Sequence, residues 1–252
     1  MKIGYLITAR LKSTRLPNKL MLKILDREII GWMIERLKLS QDLALIIICT
    51  STNSQDDPLE KIAKENGIEI YRGSEEDVLQ RLYEAALAFS LDYVLNVTAD
   101  CPLVSVEYIH EIINSYKESD ADLVRCLSLP HGLFSYGIKV EALRKVCEIK
   151  AGKNTEVWGR YFTDTGLFKV IDLEIPQSLQ RPDYRLTLDY IEDFHFFVEI
   201  FKHFGNSTYK TSINELISYL DQHPETVEIN KECKNAFKKN WDSQNNLILK
   251  NE

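Results

Sequence analysis

The chain has 252 residues, 44% hydrophobic and 27% charged, so it is long enough to bury a real core and is neither disordered nor fibrous in composition. A formal net charge of -7, with no basic patch to outweigh it, excludes a nucleic-acid binder of the usual kind. The five cysteines (Cys49, Cys101, Cys126, Cys147, Cys233) form no CxxC pair, and the first apolar run breaks at Arg10, which argues against a disulfide framework, a zinc site, a signal peptide and a membrane span, and leads us to expect a cytoplasmic protein.

Strand-like and helix-like stretches alternate from the start. Ile3 to Ala9 reads as a buried strand ending in a basic loop, and Glu28 to Leu39 has the i, i+3, i+4 apolar spacing of an amphipathic helix. Leu45 to Cys49 is a second strand. Pro58 opens a helix that Gly67 closes after Asn66. A strand at 68–71, a helix from Asp77 to Phe89 and a strand from Tyr93 to Val97 follow, and this order predicts a mostly parallel sheet with helices on both faces. The second half reads as strands at Leu123-Val124, Phe134 to Val140, Phe168 to Leu173 and Arg185 to Leu188, then helices from Asp193 to Phe204 and from Ser212 to His223. One α/β domain over 1–230 and a polar, lysine-rich, loosely held tail over 231–252 are expected.

Residues 9–19 read Ala-Arg-Leu-Lys-Ser-Thr-Arg-Leu-Pro-Asn-Lys, so Arg10, Lys12, Arg15 and Lys19 crowd one loop of an acidic protein. Ligands of parallel sheets bind outside the carboxyl ends of strands, where this loop belongs. Its cations suit a phosphate clamp, and a merely solvated loop is the plainer alternative. It contains no glycine and is no Walker A loop.

The string A-R-x-x-S-T-R-L-P-x-K resembles the opening of the cytidylyltransferases that make CMP-activated sugar acids, with the spore-coat polysaccharide SpsF type the closest in pattern. The resemblance continues through Thr52-Asn53 with Asp56-Asp57-Pro58, the segment from Arg72 to Arg81, Thr98-Ala99-Asp100-Cys101-Pro102-Leu103, and Arg185 to Asp189 with Glu192-Asp193-Phe194. It implies a Rossmann-like nucleotide-diphospho-sugar transferase fold and a nucleotide site at Ala9, Arg10, Ser13, Arg15, Lys19, Arg72 and Ser74, with Arg10, Arg15 and Lys19 as the catalytic cations.

Asp100 and Asp189 each end an apolar run, and two carboxylates meeting near a triphosphate suit magnesium. Taken alone, each could equally start a turn or cap a helix. The resemblance assigns both to Mg2+. Asp120-Ala121-Asp122 has the D-x-D spacing of metal-dependent glycosyltransferases but stands at a strand beginning, so it reads as an exposed turn.

His131, between Pro130 and Gly132, reads as structural, Cys101 as a buried thiol, and the many aromatics as core, with a homodimer face as a further use for some of them. The resemblance breaks in specific places. The family usually has glycines where Lys12 and Asn18 stand, and its G-L-D-x-E stretch is here Gly132-Leu133-Phe134-Ser135-Tyr136. An E-H-V-T-P stretch is replaced by Glu156-Val157-Trp158-Gly159-Arg160-Tyr161. Phe134, Tyr136, Glu156, Arg160 and Arg185 are therefore the acceptor-side candidates, with Arg160, Arg181 and Arg185 available for an acceptor carboxylate. The expected partners are CTP and a small sugar or sugar acid, not nucleic acid or membrane. The rival readings are a glycosyltransferase using a nucleotide-sugar donor and a catalytically idle subunit of a polysaccharide pathway.

Overall fold

The computed structural model describes residues 1–244 and 247–250. In chain order the elements are β1 (Ile3–Thr8), β2 (Lys23–Ile24), β3 (Arg27–Glu28), α1 (Ile29–Leu37), β4 (Leu45–Ser51), α2 (Pro58–Glu65), β5 (Glu69–Gly73), α3 (Val78–Ala88), β6 (Tyr93–Thr98) and α4 (Glu107–Ser119). They continue with β7 (Leu123–Arg125), β8 (Tyr136–Lys139), α5 (Val140–Ile149), α6 (Arg160–Thr163), β9 (Val170–Asp172), α7 (Ile191–Phe204), α8 (Ile213–Gln222), α9 (Pro224–Glu228) and α10 (Cys233–Gln244).

Seven strands form one sheet in the order β5-β4-β1-β6-β8-β7-β9, and β2 pairs with β3 in a small separate ribbon. Every neighbour pair of the large sheet is parallel except the two made by β8, which runs against both β6 and β7. The central strands are continuous apolar runs because both faces are covered. Along β1, Tyr5 and Ile7 face the core under α1, α4 and α7, and Leu6 faces the core under α3 and α5. Among the described residues no helix is long and apolar enough to cross a membrane.

Expectation and structure agree closely up to β6. They part in the second half. Arg185 to Leu188 is extended but is no strand: its one bridge among the described residues is between Arg185 and His131. Instead of joining the sheet it lies along two loops, with the Leu186 amide donating to the His131 carbonyl (2.7 Å) and the Leu188 amide to the Asp100 carbonyl (2.8 Å). The run read as a strand from Phe134 to Val140 is a strand only over Tyr136–Lys139, and Val140 begins α5. Of the segment read as a loose polar tail, 231–252, the part over Cys233–Gln244 is helical, and residues 248–250 bond to the backbone of residues 149–152. Among the described side chains of α10, Cys233 is buried and Phe237 meets His131, and these stand among several lysines in sequence.

Candidate active site

The loop after β1 is pinned by its backbone. The Ala9 amide donates to the Cys49 carbonyl (3.1 Å) and the Leu11 amide to Asp56 Oδ1 (2.7 Å). Asp56 is buried and also accepts from the Ser51 hydroxyl, so the acidic stretch after β4 has a structural role, fixing where the basic loop sits. Asn18 adopts φ 53°, in the left-handed region that glycine visits freely and asparagine tolerates better than most residues. Asn18 thereby makes the turn that leads into Lys19.

Asp100 arrives from the end of β6. Asp189 arrives by another route, on the extended segment bonded to His131 and Asp100. Gly132, at φ 99°, makes that docking possible, because a Cβ there would lie 2.1 Å from the Leu186 carbonyl oxygen. The two carboxylates then share one cation: Lys19 Nζ lies 2.6 Å from Asp100 Oδ2 and 2.9 Å from Asp189 Oδ1. Arg15 donates to the same Asp189 oxygen (2.7 Å), and Thr98 donates its hydroxyl to Asp100 Oδ1.

Behind Asp189 stands a buried support. Arg185 donates to Asp189 Oδ2 (2.7 Å) and to both oxygens of Asp193 (3.0 and 3.3 Å). Asp193 also accepts the amides of Asp189 (2.8 Å) and Tyr190 (3.0 Å) and the side-chain amide of Asn230 (2.9 Å). Burial opposes ionisation of Asp189, and the charges of Lys19 and Arg185 overcome it, holding the carboxyl well below the ordinary aspartate range. Burial likewise disfavours the Lys19 ammonium, and Asp100 and Asp189 more than compensate, so it stays charged above the usual lysine range.

Arg15, Lys19, Asp100 and Asp189 line a cleft of about 470 Å³. Its floor is the β1 and β6 ends, one side is the basic loop, and the other side is aromatic: His131, Phe134, Tyr136, Trp158 and Phe237. A sequence model described as Cytidylyltransferase matches residues 5–158, well over half of the chain. The chain belongs to the cytidylyltransferase family. An uncharacterised protein of Methanocaldococcus jannaschii is 36% identical over 232 residues, 91% of this chain and 95% of its own. The spore coat polysaccharide biosynthesis protein SpsF of Bacillus subtilis is 28% identical over 232 residues, 89% and 96% of the two chains. Among solved structures, a cytidylyltransferase from Leptospira borgpetersenii superposes with a TM-score of 0.82 at 29% identity, covering 90% of this chain and 97% of its own.

In this cytidylyltransferase the residues singled out from sequence divide into two sets. Arg10, Ser13, Arg15, Lys19, Asp100 and Asp189 all line the cleft, as do Phe134, Tyr136 and Glu156. Ala9, Arg72, Ser74, Arg160 and Arg185 do not. Ala9 is buried in the sheet edge, and Arg72 is spent on the turn after β4, donating to the Ser51 and Asn53 carbonyls (2.9 and 2.6 Å) and pairing with Asp57 (2.7 Å). The Ser74 hydroxyl accepts from the Asp77 amide (3.1 Å) at the start of α3. Of the three arginines considered for an acceptor carboxylate, Arg160 pairs with Asp164, Arg181 with Asp221, and Arg185 with Asp189 and Asp193. Asp120 and Asp122 lie at the opposite sheet edge, on Lys139 and the Lys169 amide, far from this cleft in the topology.

Several cleft residues escape detection from sequence, His131 and Phe237 among them. His131 is stacked on Phe134 (5.7 Å between centroids) and tilted against Phe237 (4.9 Å), whose ring also meets the Arg185 guanidinium at 4.7 Å. Burial and the Arg185 charge push the His131 imidazole down to about 4, so it is neutral at physiological pH. The wall carrying Glu156, Val157 and Trp158 is fastened from behind. Lys150 and Thr155 both donate to Asp77 at the start of α3, and Arg10 reaches across the cleft to Glu156 (2.9 Å). The proline and glycine around His131 are its only sequence signal, and they mark a turn rather than a pocket.

Proposed function

We infer that this cytidylyltransferase is a magnesium-dependent enzyme that uses CTP to activate a small sugar or sugar acid, releasing pyrophosphate. The observation that carries this reading is the meeting of loop cations and two carboxylates at one cleft edge. The donor set suits the metal. Two carboxylates brought to a single cation, with no thiolate or imidazole bonded to that cation, match an ion that takes one or two carboxylates and fills its remaining positions with water and phosphate oxygens. Among the described residues no group of three or more His, Cys, Asp or Glu side chains is placed to hold a metal ion by itself.

In this reading Asp100 and Asp189 hold the metal, which when bound supplies charge neutralisation for the phosphates. An acceptor oxygen attacks the α-phosphorus, giving up its proton to solvent where it is a hydroxyl, the bond to the β-phosphate breaks, and pyrophosphate leaves with the electron pair. Arg10, Arg15 and Lys19 meet the charge that grows on the leaving group. The acceptor lies against the aromatic side. An anomeric hydroxyl of an ulosonic acid yields a CMP-sugar, and a phosphate oxygen yields a CDP-linked product. The name of the Bacillus relative supports placing the product in surface polysaccharide synthesis.

The test is pyrophosphate release with each nucleoside triphosphate, with and without magnesium, against a panel of ulosonic acids and sugar phosphates. Asp100→Asn and Asp189→Asn should each lower turnover by orders of magnitude while thermal unfolding stays cooperative. Near-normal rates in either variant would sink the two-aspartate site.

A further inference from the structure

The surroundings of Lys19 bear on the order in which ligands enter, an inference that rests on the metal site proposed for Asp100 and Asp189. The Lys19 ammonium sits between these two residues, 2.6 and 2.9 Å from one oxygen of each. Its side chain is only 12% exposed, and those of the aspartates 15% and 3%. Arg15 and Arg185 occupy the remaining approaches to Asp189, one on each oxygen. Without ligand, then, three aspartates (Asp100, Asp189, Asp193) are balanced by three cations, and the position a divalent ion needs is held by a tethered monovalent one.

We propose that Lys19 is a guard cation that keeps the carboxylate pair closed to free divalent metal and releases it only to a metal-bound triphosphate. Two features make this directional. A divalent ion entering alone would face the ammonium and the Arg15 guanidinium at close range in a half-dry site, where like charges are poorly screened. A triphosphate offers the same two cations new anionic partners, so their transfer to phosphate opens the carboxylates as the metal arrives. Lys19 follows the left-handed turn at Asn18, at the end of a long loop, so the move needs a side-chain swing and leaves the sheet unchanged. Nucleotide and metal thereby bind as one unit, and metal alone does not charge the site.

The experiment uses Mn2+ as the probe, counted by electron paramagnetic resonance on the full chain. Titrations are run first without nucleotide and then with a CTP analogue whose α–β bridge cannot be cleaved, corrected for metal held by the analogue alone. The expected result is weak uptake by the unmodified protein without nucleotide and uptake at least tenfold tighter by Lys19→Met, which keeps the chain length and removes the charge. Arg15→Met should shift the same way by less, since it touches one carboxylate only. If the unmodified protein takes Mn2+ without nucleotide as tightly as Lys19→Met does, the guard role is wrong and the metal site stands. If no variant takes up Mn2+ even with the analogue, the metal site itself fails and the guard role with it. A far-ultraviolet spectrum and a cooperative melt for each variant confirm that folded protein is being compared.

Discussion

Asp193 does not itself line the cleft but accepts the amide of Asp189, which does, and we expect its loss to be felt in both stability and turnover. It is fully buried and takes five hydrogen bonds, from Arg185 twice, from the Asp189 and Tyr190 amides, and from Asn230. Asp193→Asn keeps the shape and leaves the Arg185 guanidinium, 2% exposed, short of half its counter-charge. Breaking a buried pair by removing one partner costs about 3–5 kcal/mol. For a chain of this length each kcal/mol lowers the melting temperature by about 2 °C, so a fall of about 6–10 °C is expected by calorimetry. Turnover should drop as well, because the same carboxylate fixes the backbone from which Asp189 projects. Arg185→Met combined with Asp193→Asn should lose less than the sum of the two, by about 1 kcal/mol or more, since the second change removes the charge the first left stranded. Additive losses, or a melting shift under about 2 °C for Asp193→Asn, would refute the view that this pair supports the site.

Other outcomes follow from the same geometry. Arg15→Ala and Lys19→Ala should each reduce kcat/KM for CTP by far more than Ser13→Ala, whose hydroxyl accepts from the Leu16 amide; equal effects in a pyrophosphate assay would reduce the loop to a solvated one. Because the folded-state His131 sits at about 4 against an ordinary 6.5, the unfolded chain takes up a proton first as pH falls. Stability is therefore full above about pH 6.5 and declines through that window by about 3 kcal/mol at pH 4, a slope that His131→Phe should flatten in melts run across pH. The loss tied to Asp189 lies lower, beginning only as its unfolded carboxyl protonates near pH 4 and continuing as pH falls further. Phe237→Ala should raise KM for the acceptor and leave KM for CTP nearly unchanged, as measured with any acceptor that supports turnover.

The first half of this chain is legible because its signals are local. A continuous apolar run with a polar stop defines β1, β4 and β6, and Pro58 and Gly67 mark the ends of α2 in the residues themselves. The basic loop is visible for the same reason: its four cations are neighbours in sequence. Asp100 and Asp189 stand out through their place after apolar runs, although Asp189 reaches the site on a docked extended segment and not on a strand. What stays hidden depends on contacts distant in sequence. Arg72 and Ser74 stand beside a strand end, and the fold adds what their neighbours in sequence do not show, that each also bonds within the turn it stands in. Phe237 lies in a stretch that is polar overall, and its meaning comes from His131, more than a hundred residues earlier. No periodicity in either segment announces that meeting.

Residues 248–250 hold the segment 149–152, which leads into the cleft-lining stretch Glu156, Val157 and Trp158, so that stretch is fastened differently from the β1 and β6 ends. The side formed by β1 and β6 belongs to the middle of the sheet, so its amides should exchange with solvent only on near-global opening, which hydrogen-exchange measurement would check. On the opposite side Tyr136 belongs to β8 within the sheet, whereas the segment 149–158, which brings Glu156, Val157 and Trp158 to the cleft, is tied more sparsely, by bonds that include Ala151 to Ile248 (2.9 Å) and Lys250 to Ile149 (2.9 Å) and by the side-chain grip on Asp77. Such a flank opens by small, local excursions well below the free energy of global unfolding. Under the proposed reaction, entry of a second substrate past the 149–158 segment would thereby be separated from the integrity of the groups held by β1 and β6.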